Sequence, residues 1–246
     1  MSKLISWVTV TWNRLELNRH CYEANTRHGR EGTELIWVDN GSEDGSADYA
    51  RSVQPDILIL NKTNLGYPRG ANQAISMSRG DYIFLTGPDC IFGEHWIADI
   101  PLVLDAGWDF CCYYSHQIGH KFPERKLGEP VQIGHLLCQP CIPGEMVAVT
   151  RRAFEAIGYL TEEYGLYGWC DEEWNLRAHS LGLKGVYLPE PLQHLGTTGM
   201  DDHASEHEKP EYWAWKSAQC REPWKLELIQ KRKAEGFPYH NPFLKL

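Results

Sequence analysis

Four short apolar runs, Leu4–Val10, Glu34–Val38 (ELIWV), Asp56–Leu60 (DILIL) and Asp81–Leu85 (DYIFL), alternate with stretches of helical pattern in the first third of the chain. Runs this short and this apolar are strands buried on both faces, and parallel neighbours joined by helices are the arrangement that covers both faces. The helices expected between them span Arg14–His28, opened by Asn13 as N-cap, a short segment after the turn DNGSEDGS, and Ala71–Ser78. The order predicts an α/β fold with a mostly parallel central sheet and helices on both faces. Ligands of such sheets bind where loops gather at the carboxyl ends of the strands. Those loops are TWNR, DNGSEDG, NKTNLGYPRG and TGPDC. None carries G-x-G-x-x-G or G-x-x-x-x-G-K-[ST], so neither a dinucleotide turn nor a P-loop explains them.

The second half is less regular. Trp108–Ser115 reads as an edge strand, residues 117–143 as a long irregular segment shaping a substrate site, Glu145–Thr150 as a strand and Arg151–Ile157 as a helix. A helix inside EEYGLYGWCDEEWNLRAHSLG ends at Gly182, and a strand follows over Gly185–Leu188. With no repeat and no Gly/Ser linker, one domain is expected over about residues 1–200, with a helical extension over 201–246 packed on it. In that extension His203 and His207 stand at i,i+4, in a segment that reads as a solvated acidic loop or lid.

Composition narrows the partners. The net charge of -9, with basic residues scattered, opposes binding to nucleic acid. The N-terminal apolar run is too short for a signal peptide, and no stretch reaches the roughly 20 apolar residues of a membrane span. Eight cysteines without a regular framework fit a reducing compartment, so a cytoplasmic location is expected, with peripheral membrane contact left open for the tail. The C-x-x-C of Cys138 and Cys141 lacks a second ligand pair and reads as structural or free thiols ahead of a metal or redox site. Ten tryptophans and twelve tyrosines exceed the needs of a core this size, and such rings often line clefts for sugars or bases.

Taken in order, the blocks VTVTWNR, WVDNGSEDGS, NLGYPRGANQAI and GDYIFLTGPDC, followed by GEMVAVTRRAFEAIGYLTEEY and YGWCDEEWNLRAHSLGLKGVYLPEPLQH, resemble family 2 glycosyltransferases of the GT-A fold, over about residues 4–198. The resemblance implies a Rossmann-like sheet, with a donor-binding half over about residues 1–92 and an acceptor and catalytic half over 93–200. Two positions depart from the family pattern: Gly87 replaces the first Asp or Asn of its metal motif, and Cys170 replaces the Glu before its catalytic Asp.

The chemistry implied is transfer of a sugar from a nucleotide-diphosphate donor to a hydroxyl of a carbohydrate or other acceptor. Asp89 and His194 are the implied ligands of a divalent metal, Mn2+ or Mg2+, which offsets charge on the diphosphate leaving group. Asp171, at a helix start, is the implied general base, which predicts inversion at the anomeric carbon. Donor contacts fall on Thr11, Asn13, Arg14, Asp39, Asn64, Gly66, Arg69, Asn72 and Pro88, with Arg69 the natural partner for a phosphate. Asn13, Ser42 and Asp44 also suit turn and capping roles. Acceptor contacts fall on Trp169, Glu172 and Trp174, whereas Glu173 and Arg177 at i,i+4 read as a pair that fixes the helix. Two rival readings remain: a binding protein for nucleotide sugars or carbohydrates without turnover, suggested by Gly87 and Cys170, and a nucleotidyltransferase, whose glycine-rich basic first loop TWNR does not supply.

Overall fold

The computed structural model describes residues 3–114, 126–144, 146–195 and 222–236. The expectations for residues 117–125, for Glu145 and for most of the tail, including His203 and His207, lie outside the described residues. The first four strands, β1 (Ile5–Thr11), β2 (Thr33–Asp39), β3 (Ile57–Leu60) and β4 (Tyr82–Thr86), form a parallel block in the order β3-β2-β1-β4. Between them run α1 (Leu15–Asn25), α2 (Ser46–Val53) and α3 (Tyr67–Met77). After the short β5 (Cys90–Ile91) and α4 (Trp96–Asp105), the sheet is extended by β6 (Phe110–Tyr114), β7 (Val131–Ile133), β8 (Leu136–Cys141), β9 (Val147–Thr150) and β10 (Gly185–Pro191). The nine strands are ordered β3-β2-β1-β4-β9-β6-β10-β8-β7, and β11 (Gln193–His194) pairs with β5 apart from them.

Alternation along the strands builds the two faces of the core. Val8 and Val10 of β1 and Ile36 and Val38 of β2 pack with Ala71, Ala74 and Ile75 of α3, and that cluster runs on to Phe154 and Trp174. On the other face Ile5, Trp7, Leu35 and Trp37 pack with Trp96, Ile100 and Val103. Trp7 meets Trp96 edge to face at 5.2 Å and Phe84 meets Phe92 at 4.9 Å. Many of the aromatic rings are therefore core material and not cleft lining.

Several local expectations are corrected. The segment expected as an edge strand is β6, which lies inside the sheet between β9 and β10, with Phe110, Cys111 and Cys112 fully buried. Part of the segment expected as irregular is the β7–β8 hairpin, whose β8 pairs with β10. Asn13 is not the N-cap of α1. Arg14 takes that position in a left-handed conformation, and the Leu15 N–H donates instead to Asp44 Oδ2 at 2.9 Å. Helix α3 begins at Tyr67, four residues early, because Pro68 fits a first turn where no N–H is needed.

Gly66, just before α3, has φ 90° and ψ 157°, a region essentially closed to other residues. A Cβ there would lie 2.7 Å from Leu166 Cα. The Tyr67 N–H donates to Leu166 O at 2.9 Å, so this close approach ties the third loop to the segment before the helix Cys170–Ser180. Gly66→Ala is expected to destabilise the chain by about 1–3 kcal/mol, read as a lowered denaturation midpoint. An unchanged midpoint would show that the approach is not required.

The helix Pro223–Ala234 lies against the same body. Ile229 is buried in the core cluster, Lys225 Nζ donates to Tyr167 O at 2.9 Å, and Arg232 pairs with Glu163 at 2.7 Å. No helix among the described residues is long and apolar enough to cross a membrane.

Candidate active site

A cavity of about 300 Å³ opens at the carboxyl ends of β1, β2 and β4. The loop after β1 contributes Thr11, Trp12 and Arg14, and that after β2 contributes Asn40. Asn64 comes from the third loop, Tyr67 from the start of α3, and Gly87, Pro88 and Asp89 from the fourth loop. The opposite wall is the segment Leu166–Asp171 with Trp174 and Asn175, and His194 closes the end.

Backbone strain concentrates here. Among the described residues, five other than glycine have positive φ: Asn13, Arg14, Gln54, Met146 and Trp169. Arg14, Met146 and Trp169 line the cavity, and Asn13 adjoins Arg14. Such conformations cost about 1–3 kcal/mol each and cluster where a side chain must be aimed.

The acidic end is built around Asp89. Its Oδ2 lies 3.3 Å from a terminal nitrogen of Arg14 and 3.5 Å from His194 Nε2, and all three side chains are largely buried. The thiol of Cys90 stands 3.6 Å from Oδ1. Register places His194 opposite Cys90 in the β11–β5 pair, and the Leu195 N–H donates to Asp89 O at 2.8 Å. Burial works against a charged imidazole at His194, but Cys90 and Asp89 beside it prevail and hold its pKa well above the ordinary histidine value. Asp89, Cys90 and His194 bring their donor atoms within 4.8 Å of one another, and they are the group among the described residues able to hold a metal ion.

Asp171 is the second residue of the helix Cys170–Ser180 and is exposed on the cavity wall. Trp169 precedes it at φ 67°. Below them, buried Glu173 accepts from Thr161 Oγ1 and Tyr164 Oη, both at 2.6 Å, and faces Arg177 at 3.4 Å. Arg177 also donates to the carbonyls of Ile157 and Tyr159. This network fixes the helix that carries Asp171.

Of the residues singled out from the sequence, Thr11, Arg14, Asn64, Pro88, Asp89, Trp169, Asp171, Trp174 and His194 meet at the cavity. Trp174 does so with its ring buried, stacked on Phe154 and donating to Gly158 O at 2.8 Å, so most of it is core. Asp39 lies beneath the wall, where its Oδ1 accepts from the Ser42 N–H at 3.0 Å and its Oδ2 from Thr11 Oγ1 at 3.4 Å. Asn13 ties the first loop to the second, accepting from the Glu43 N–H and donating its own N–H to Ser42 Oγ. Arg69 points instead to Glu162, 3.0 Å away, and Asn72 spans Leu160 and Glu162. Gly66 accepts from Asn40 Nδ2 through its carbonyl, and Glu172 is not among the lining residues. Sequence reasoning missed Asn40, Tyr67 and Cys90. Asn40 sits inside the quoted DNGS block, so its place in a loop after a strand was the available signal.

The sequence profile described as glycosyl transferase family 2 matches residues 6–142, more than half of the chain. The chain belongs to glycosyltransferase family 2. The match ends before Asp171 and His194, so the family profile itself covers the four parallel strands β1–β4 with the Asp89 loop and runs on to the end of β8. Two curated glycosyltransferases are similar to part of the chain. Glycosyltransferase GlyG of Streptococcus pneumoniae is 31% identical over 101 residues, 39% of this chain and 34% of that protein. The uncharacterized glycosyltransferase YfnE of Bacillus subtilis is 34% identical over 77 residues, 30% of this chain and 20% of that protein. The chain thus spans about a third or less of the length of these relatives.

Solved GT-A glycosyltransferases share the fold of this family 2 chain. The mannosyltransferase PcManGT of Pyrobaculum calidifontis, in complex with GDP-Man and Mn2+, superposes with a TM-score of 0.58 at 17% identity, covering 81% of this chain and 59% of that one. TarS of S. aureus in complex with UDP-GlcNAc gives 0.62 at 13% identity, covering 84% and 62%.

Proposed function

We propose that this family 2 chain transfers a sugar from a nucleotide-diphosphate donor to a hydroxyl acceptor, with inversion at the anomeric carbon, in the cavity between Asp89 and Asp171. The observation that carries the reading is the convergence of Asp89, His194 and Asp171 on one cavity at the carboxyl ends of the parallel strands. The nucleotide sugars bound to PcManGT and TarS support a donor of that class, and the Mn2+ of the PcManGT complex supports a metal.

The residues present fit a divalent cation: a buried carboxylate and an imidazole 3.5 Å apart, with a thiol beside them. Asp89 and His194 would hold Mn2+ or Mg2+, which when bound offsets the charge growing on the departing diphosphate. Arg14, 3.3 Å from Asp89, brings a further positive charge to the same end. Thr11, Asn40 and Asn64 present hydroxyl and amide groups to the donor from the three neighbouring loops. Asp171 takes the proton of the acceptor hydroxyl as its oxygen attacks the anomeric carbon from the face opposite the leaving group. Trp169 supplies an aromatic wall beside Asp171 for an acceptor ring. Seven cysteines among the described residues are buried and in no disulfide, which supports action in the reducing cytoplasm.

The test is release of nucleoside diphosphate from a panel of nucleotide sugars, followed by NMR of the sugar product. Release from one donor with the opposite anomer formed is the expected result. Retained configuration would remove Asp171 from the role of base. Binding without release, whatever acceptor sugar is supplied, would favour a binding protein over a transferase.

A further inference from the structure

We propose, resting on the metal-assisted reading above, that Cys90 is a third protein ligand of this metal site and that its thiolate turns the site toward Zn2+ and Co2+ and away from Mg2+. The geometry comes first. Cys90 Sγ lies 3.6 Å from Asp89 Oδ1, and His194 Nε2 lies 3.5 Å from Asp89 Oδ2. A tetrahedral ion with bonds of about 2.0 Å to oxygen or nitrogen and about 2.3 Å to sulfur sets its donors about 3.3–3.6 Å apart. The thiol and the imidazole face different oxygens of Asp89, and with one donor atom taken from each residue the three lie within 4.8 Å of one another before any ion is bound.

The backbone keeps the donors there. Cys90 and His194 face each other in the β5–β11 pair, and the Leu195 N–H to Asp89 O bond of 2.8 Å locks the remaining member to the same ladder. Gly87 provides no ligand on the neighbouring turn. A Cβ built on it would lie 2.6 Å from Asp89 Oδ1 and 3.7 Å from Cys90 Sγ, so the thiol flanks the carboxylate on the side that position 87 leaves without a donor. Arg14 approaches the other oxygen, Oδ2, at 3.3 Å, and an ion would share that oxygen with it or displace it.

A set of one sulfur, one nitrogen and one carboxylate oxygen leaves a fourth position for a diphosphate oxygen or water. Thiolate ligands favour softer ions, whereas Mg2+ prefers an all-oxygen octahedral shell. On binding, the metal–sulfur bond forms and the thiol proton passes to solvent.

The experiment adds Co2+ to the whole chain, with and without UDP or GDP, and records the absorption spectrum. The expected result is visible d–d bands together with a near-ultraviolet sulfur-to-cobalt charge-transfer band. Cys90→Ser is expected to keep the visible bands and lose the charge-transfer band. Loss of an outer-shell partner alone costs about 10–100-fold in metal affinity, so the Zn2+ affinity of Cys90→Ser should fall about tenfold or more while that for Mg2+ changes little. Because the wild-type spectrum is read without mutation, a misfolded variant does not blur the result, and Cys90→Ala provides a second substitution. Visible bands without charge transfer in the wild type, or a band that survives Cys90→Ser, would overturn the assignment while leaving Asp89 and His194 as ligands. No Co2+ binding at all, with nucleotide binding indifferent to metal, would overturn the metal-assisted reading and this inference with it.

Discussion

Replacing Asp171 by Asn is expected to lower kcat by about 10²–10⁴-fold while leaving the affinity for the nucleotide-sugar donor nearly unchanged. The amide has almost the shape of the carboxylate and keeps a polar group on the cavity wall, but it cannot accept the acceptor's proton. Asp171 makes a clean test because it is exposed on the first turn of its helix while the residues that hold that helix lie behind it. A drop confined to kcat identifies the base. A rise in KM for the donor with kcat preserved would place Asp171 among the binding groups, and an unchanged kcat would remove it from the chemistry.

The second large effect concerns stability. Glu173 and Arg177 are almost wholly buried, and removing one partner of such a pair strands the other charge. Glu173→Ala is expected to cost about 3–5 kcal/mol, measured by denaturant unfolding, because Thr161 and Tyr164 lose their acceptor and Arg177 is left with carbonyls but no counter-charge. Glu173→Gln keeps an oxygen for the hydroxyl donors and should cost less than the alanine variant. Equal losses in the two variants would mean that the carboxylate charge, and not the volume or the hydroxyl contacts that Gln retains, holds the helix in place.

The first four strands were legible because they are short, apolar and separated by turn residues, and the observed β1 to β4 lie within a residue or two of the expected runs. The second half was less so. β6 reads FCCYY, a run whose neighbours are distant in sequence, so nothing local distinguishes an edge from the middle of the sheet. The β7–β8 hairpin is hidden by its composition of Gln, Gly and Pro, and it is fixed by pairing with β10, more than forty positions on in the numbering.

Site residues followed the same division. Loop position placed Asp89 at the carboxyl end of the sheet and the family resemblance joined Asp171 and His194 to it, but the direction of a side chain was not readable. Arg69 has the chemistry for a phosphate and turns to Glu162, while Arg14, on a strained turn, reaches Asp89. Cys90 was passed over although it follows Asp89 directly, because only the β5–β11 pairing sets its thiol beside both the carboxylate and His194.

The central claim, that this cavity binds a nucleotide-sugar donor through Asp89, is tested most directly by melting temperature. Wild type and Asp89→Ala would each be heated with a series of nucleoside diphosphates and nucleotide sugars, with and without Mn2+. A ligand bound only by the folded chain adds about 2.7 kcal/mol at a hundred times its Kd, several degrees for a protein of this size. The account predicts that one nucleotide raises the wild-type melting temperature in a Mn2+-dependent way and that Asp89→Ala loses the shift. The same shift in both proteins, or no shift with any nucleotide, would contradict it.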